Sequence, residues 1–315
     1  MNSLKRFIKS TAGMVFIVTV LVGIAVHIAT GNFFTSYNIS TLSRAASFAI
    51  IVGFGQTIVL LTGGIDLSVG ATLGMTGGVM AYLMTAAELP FGLAILIGVV
   101  MGIAAGVING LLITCFDLPP FIVTLASSQV VRGIIFILTG GQSIYNFPKG
   151  FRVLGKSVFE IPVPIIIMIL VIVVSCFILY KTKCGRYIYA IGGNMQASYL
   201  SGINTKLMTI FVYAFAGLTA SIAAIIMDAR LNAAAPTAGE NYELNAIAAV
   251  VIGGTSMAGG EGKISGTIIG VLIIGVINNG MNLLNVSQGM QKVVLGCVMV
   301  IAVIMDMLRR RSEKK

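Results

Sequence analysis

Apolar residues in this chain do not alternate with polar ones at the period of a surface helix or strand; they come in long continuous runs. The runs lie at approximately 12–29, 45–62, 68–85, 91–113, 120–139, 161–180, 207–227, 244–258, 265–284 and 291–308. A bilayer core of about 30 Å takes about 20 residues of α-helix at about 1.5 Å per residue. The pattern therefore predicts an all-α polytopic membrane helical bundle of about ten transmembrane helices, one domain over residues 1–315. Three segments, 45–62, 68–85 and 244–258, are short or interrupted by glycine. They are expected to be broken or re-entrant, a backbone state tolerated only inside a protein bundle or beside water. The first run follows Lys5, Arg6 and Lys9 as a signal peptide's would. It is long for such a segment, and HIATGN is a poor cleavage site, so an uncleaved first span is expected.

Composition narrows the class. Of 315 residues, 57% are hydrophobic and 10% charged, against roughly 25% charged in soluble domains. That excludes a cytosolic enzyme, a disordered protein and a nucleic-acid-binding domain. The +10 balance is then a topology signal. With the N-terminus inside and ten spans, Lys5, Arg6, Lys9, Lys181, Lys183, Arg186, Lys206, Lys263, Arg309, Arg310, Arg311, Lys314 and Lys315 fall on the inner side. Arg44, Lys149, Arg152, Lys156, Arg230 and Lys292 fall outside, and Arg132 within a span. The excess predicts a multi-pass membrane protein with both termini cytoplasmic, surrounded by lipid. Two connections are long, about 140–160 outside and 181–206 inside, and long connections in compact proteins usually carry function.

The catalytic inventory is poor. The stretch MAGGEGKIS has the wrong glycine spacing for a phosphate-binding loop, and Ile264 follows its lysine; ATP energy is expected from another chain. There is no HExxH and no GxSxG, and no catalytic residue, metal site or cofactor is expected. Cys115, Cys176, Cys184 and Cys297 show no CxxC spacing. His27, the only histidine, reads as an interfacial side chain. An ion-coupled secondary sugar transporter is the rival class, but such carriers keep several charges inside the bundle, and only Asp66 and Arg132 qualify here. Asp66, in TGGIDLSVG, reads as a structural cap on the following helix; a substrate or ion contact is the other role open to it. Two placements fit Arg132, a buried tie and a snorkel to an interface.

Neutral polar residues fit a pathway for a neutral sugar. Gln56, Thr57, Asn109, Thr124, Gln129, Asn278, Asn279 and Asn282 are the candidates, with interhelical hydrogen bonding as their alternative role. Asn278 and Asn282, at i and i+4, share a helix face. Gly98, Gly102 and Gly106 recur every four residues, the spacing of close helix packing. Gly63, Gly64, Gly70 and Gly74 match Gly259, Gly260, Gly266 and Gly270 at an offset of 196, which hints at an internal repeat. The inner segment 181–208 is polar and bounded by basic residues. A short helix over about Met195–Leu200 is predicted, ended by Gly202, in a position where a cytoplasmic motor could grip it.

On that segment the chain resembles a family. The stretches GRYIYAIGGNMQASYLSGINTKLM and LNAIAAVVIGGTSMAGGEGKISGTIIGVLIIGVINNGMNLLNV, with LTGGIDLSVG earlier, resemble the membrane permease subunits of ribose-type sugar ABC importers. The likeness runs from about Asn32 to Asp306. It implies a permease without ATPase activity, translocating a monosaccharide such as ribose or a related pentose. The implied partners are a cytoplasmic ABC ATPase subunit, an extracytoplasmic sugar-binding protein and a second permease copy, identical or closely related. The coupling loop it implies maps onto Ala197 and Gly202 with Gly192, Gly193 and Asn194 before them, and takes in Ser198 and Leu200.

Overall fold

The computed structural model describes residues 11–313. Lys5, Arg6, Lys9, Lys314 and Lys315, which help set the predicted orientation, lie outside the described residues. Thirteen α-helices follow one another: α1 Thr11–Thr30, α2 Ser36–Leu61, α3 Val69–Thr85, α4 Phe91–Cys115, α5 Pro120–Thr139, α6 Lys149–Arg152, α7 Val163–Lys181, α8 Lys183–Gly193, α9 Met195–Leu200, α10 Thr205–Leu231, α11 Tyr242–Ile252, α12 Ile264–Leu283 and α13 Gln288–Glu313. Four two-residue strands make two small antiparallel pairs: β1 Ile144–Tyr145 with β4 Ala233–Ala234, and β2 Ser157–Val158 with β3 Ile161–Pro162.

Local chemistry sets the boundaries. Pro120 opens α5, where its missing N–H costs nothing, and Gly140 ends it with φ +61°. Thr35 caps α2 by accepting from the Asn38 N–H at 3.3 Å, and Thr182 caps α8 by accepting from that of Gly185 at 3.3 Å. Among the described residues, seven helices are long and apolar enough to cross a membrane: α2, α4, α5, α7, α10, α12 and α13 through Met307.

The three weak segments resolve differently. The 45–62 run is neither short nor broken. It belongs to α2, 26 residues long and mostly buried; its polar first two turns, from Ser36 to Arg44, lie outside the apolar run. The 68–85 run is the 17-residue α3. The 244–258 run is a short helix, α11, of 11 residues, followed by an irregular connection to Lys263. Eleven residues rise about 16 Å, roughly half a bilayer core. The chain reaches α11 by descending from β4 along α3. A Cβ on Gly77 would strike the Asp228 carboxylate, one on Gly74 the Ala238 carbonyl, and one on Gly70 the Gly239 carbonyl and Glu243. Gly70 and Gly74 let an irregular segment lie against α3, so α11 starts deep in the bundle.

The suspected repeat is local. Gly63 and Gly259 both turn with positive φ, +78° and +87°, and both lead into a helix, α3 or α12. The helices before them, of 26 and 11 residues, do not correspond.

Connections sort into two ends. At one, the Gly260 N–H donates to the Leu61 carbonyl at 2.9 Å, the Tyr189 hydroxyl to that of Gly262 at 2.8 Å, and the Ile264 N–H to the Tyr180 hydroxyl at 3.0 Å. At the other, Arg44 donates to the Gly155 carbonyl and the Ser157 hydroxyl, each at 2.8 Å, and the Phe147 N–H to the Asn232 carboxamide oxygen at 3.0 Å. These are the groupings that the charge pattern predicts for the inner and outer faces.

Between apolar helices in lipid, burying one against another gains little over burying either in lipid, so close packing and interhelical hydrogen bonds hold the bundle. Along the seam between α4 and α10 backbone packs on backbone. A Cβ on Gly106 would land on the Tyr213 carbonyl, and one on Gly217 on the Gly102 carbonyl. Gly98, the third member of the predicted stripe, faces Met80 on α3 instead. Hydroxyl pairs add ties: Thr76 to Ser221 at 3.1 Å, and Thr57 to Thr267. Gly106→Val is expected to destabilise the detergent-solubilised protein by at least ~3 kcal/mol. Gly92→Ala, in open space, is expected to stay within about 1 kcal/mol of the parent; thermal unfolding of both variants checks the contrast.

Candidate functional site

The 181–208 segment, expected on the inner side, folds chiefly into α8 and α9. α8 buries Gly185, Ile188 and Ile191. At its end Gly192 fits where no side chain could, since a Cβ there would strike the Leu61 carbonyl and the Gly260 N–H. Tyr189 ties the same helix to Gly262. Burial, with Tyr180 alongside, pushes its phenol up to about 12, so it remains a donor at any physiological pH.

α9 occupies Met195–Leu200, the residues predicted for it. Asn194 caps it, its carboxamide oxygen accepting from the Ala197 N–H at 2.9 Å. Ser198 is its one buried residue and donates back to the Asn194 carbonyl at 2.8 Å. The end is closed by Gly202, with φ +84°, while the Ile203 N–H reaches the Ser198 carbonyl at 3.1 Å. Met195, Tyr199 and Leu200 are 50%, 67% and 80% exposed. A Cβ at Gly193 or Gly202 would meet nothing within 4 Å. Of the sequence-predicted coupling residues, then, Gly192 is packed at a junction, Asn194 and Ser198 shape the helix, and Gly193, Ala197, Leu200 and Gly202 lie on an open surface.

The pathway candidates separate into four places. Asn109 and Thr124 join Asp66 in a buried knot at the start of α3. Asp66 accepts from the Ser68 N–H at 2.7 Å and the Ser68 hydroxyl at 2.6 Å. Asn109 donates to the same hydroxyl at 2.9 Å, and Thr124 to the Ile65 carbonyl at 3.3 Å. The carboxylate fastens the turn leading into α3, with Ser68 as the residue that precedes the helix. Gln56 and Thr57 are buried in α2; Thr57 has Thr267, while both polar atoms of the Gln56 carboxamide lack a partner among the described residues. Gln129 is exposed and lines a groove of about 410 Å³ with Ser128, Arg132, Glu240, Glu243 and Lys292. Arg132, whose placement two readings fit, donates to the Ala238 carbonyl at 3.4 Å on that groove.

Asn278, Asn279 and Asn282 line another cavity, of about 390 Å³, between α2, α11 and α12. Asn279 exchanges hydrogen bonds with Asn38 at 2.8 and 2.9 Å, and the Asn282 carboxamide oxygen accepts from Gln291 at 3.0 Å.

A protein-family model for the permease component of branched-chain amino acid transport systems matches residues 38–303. The chain belongs to this permease family. It is 48% identical to the ribose import permease protein RbsC of Bacillus subtilis over 292 residues, covering 92% of this chain and 90% of that protein. It is 40% identical to the D-allose transport system permease protein AlsC of Escherichia coli, over 94% of this chain and 91% of the relative. The L-arabinose transport system permease protein AraH of Escherichia coli is 36% identical, over 96% and 92%. No solved structure matches the chain.

Two acids of the permease, one buried and one half-buried, lie at depths that the apolar runs alone do not reveal. Asp228 is fully buried in α10 and neither carboxylate oxygen has a hydrogen-bond partner among the described residues. It follows directly on the 207–227 apolar run, and α10 continues past it to Leu231. Glu243 sits in the first turn of α11 beside Gly70, a depth that only the descending 235–241 segment reveals. The Asp66 turn offers a direct test. Asp66→Ala leaves the Ser68 N–H unpaired and is expected to cost about 1–3 kcal/mol in stability. Asp66→Asn keeps an accepting oxygen and is expected to lose less; urea titration of the purified permease separates the two.

Proposed function

We propose that this permease is the membrane-spanning subunit of an ATP-binding-cassette importer for a monosaccharide, with ribose or a related pentose as substrate. The sugars in the names of its relatives, and the share of their length it covers, support the substrate class. The observation that carries the coupling role is α9: a capped helix between two spans that leaves Met195, Tyr199 and Leu200 exposed and, among the described residues, uncovered. Exposed apolar side chains in such a cluster fit a docking surface. The partner would be a cytoplasmic ATPase, which hydrolyses ATP for a chain that lacks a phosphate-binding loop.

In this reading ATP binding draws the ATPase pair together and carries α9 with it. Gly192, held between Leu61 and Gly260, passes the motion to the end of α2 and the 253–263 connection. An extracytoplasmic binding protein delivers the sugar at the face of Arg44 and β1–β4, and both termini are cytoplasmic. A second copy of the chain covers the groove of Arg132, Glu240, Glu243 and Lys292, since charges at this depth face protein or water rather than lipid. Gln129 then borders the path between the copies, and Asn278, Asn279 and Asn282 border its approach.

The test is ATP-dependent ribose uptake into proteoliposomes holding the permease with its ATPase and binding protein. Leu200→Asp, at a position that contributes no packing to the chain, is expected to leave folding intact. It should lower uptake by at least about tenfold and reduce co-purification of the ATPase. Uptake at the parental rate with an intact complex would remove α9 from the coupling role. Gly202→Leu is a poorer probe, because positive φ strains any side chain there whatever the partner does.

A further inference from the structure

The α2–α11–α12 cavity carries polar groups that the fold itself leaves unused. The Asn245 and Asn278 carboxamides and the Arg230 guanidinium line it, and none has a hydrogen-bond or ion-pair partner among the described residues. Beside them, Thr41 contributes a hydroxyl to the lining. Tyr242, stacked on Phe48 with ring centroids 5.8 Å apart at 28°, forms an aromatic wall. Ala49, Val52, Val271 and Ile274 make the floor. Among the described residues, no acidic side chain lines the space. Unpaired amides and a guanidinium in one half-buried cavity cost stability unless something hydrogen-bonds them.

We infer that this cavity is a monosaccharide-binding site carried within a single chain. The inference rests on the importer reading above and deepens it. A carboxamide both donates and accepts, as a sugar hydroxyl does, so Asn245 and Asn278 match a neutral polyol. Arg230 adds donors for a ring or hydroxyl oxygen. The Tyr242–Phe48 wall suits the apolar C–H face of a pyranose or furanose. A cation is disfavoured by Arg230 and the absence of carboxylates. A lipid acyl chain would suit the floor but would leave both amides unpaired. The volume of about 390 Å³ lies at the small end of small-molecule pockets. The site is separate from the α5 groove, so one chain can hold a sugar before the path between two copies opens.

The chain contains no tryptophan, so Tyr242→Trp makes a single fluorescent reporter at the wall. In the purified permease with this substitution, D-ribose is expected to shift the emission saturably, and adding Asn278→Leu to abolish the shift. In the reconstituted importer, Asn245→Leu and Asn278→Leu are each expected to raise the half-saturating ribose concentration for uptake about tenfold or more. Binding-protein-stimulated ATPase activity should persist. Neither substitution removes a hydrogen bond the described fold makes. Ribose uptake by the unaltered complex checks the importer reading separately. If that uptake is present while neither variant alters it and ribose leaves the emission unchanged, the cavity assignment alone falls. An emission change with phosphatidylglycerol vesicles and none with ribose overturns it in favour of lipid. Absence of uptake of ribose, D-allose and L-arabinose by the unaltered complex overturns the importer reading and the cavity assignment with it.

Discussion

Helices surrounded by lipid cannot be held together by hiding apolar side chains from water. What remains is how closely two backbones can approach, and this bundle depends on that distance. Gly102, Gly106 and Gly217 bring α4 and α10 into backbone contact, Gly70 and Gly74 admit an irregular segment beside α3, and Gly77 makes room for the Asp228 carboxylate of α10. The close seam gathers dispersion contacts along its length and places hydroxyls such as Thr76 and Ser221 within bonding range. The wall for the descending 235–241 segment is α3, where Gly70 and Gly74 leave room for the Gly239 and Ala238 carbonyls.

The half-length α11 in turn organises both polar spaces. Its first turn delivers Glu243 to the α5 groove and Tyr242 and Asn245 to the α2–α11–α12 cavity. Backbone that is not helical is tolerated at this depth only inside protein or beside water, and here Gly70 and Gly74 of α3 seat it. A full-length span would have carried those side chains toward one membrane face. The arrangement gives a protein of apolar helices two places where a hydrated solute can find hydrogen bonds.

Much of this architecture was legible in the residues themselves. All ten apolar runs correspond to helices, and α9 occupies the predicted residues because Asn194 and Gly202 are a strong start and stop pair. The extent of α2 was missed because its polar opening, Ser36 to Arg44, carries no hydrophobic signal yet continues the helix. The pathway candidates were less legible. Asn109, Thr124 and Gln56 share polarity with Asn278 and Asn282, but which amide faces a cavity and which a neighbouring helix is decided by packing between distant segments. Asp228 shows the same limit: one residue beyond an apolar run, it is buried because of a glycine on another helix, Gly77.

The glycine seam also bears on how force moves through the molecule. Two helices whose backbones touch cannot slide past one another without collision, so α4 and α10 behave as one stiff body. α10 begins just after α9, behind the Asn204 cap, and ends with Arg230 and Leu231 at the far side. Its 27 residues span about 40 Å. Braced along α4 from Ile210 to Ser221, it joins the α9 end of the bundle to the guanidinium of Arg230 through one continuous helix.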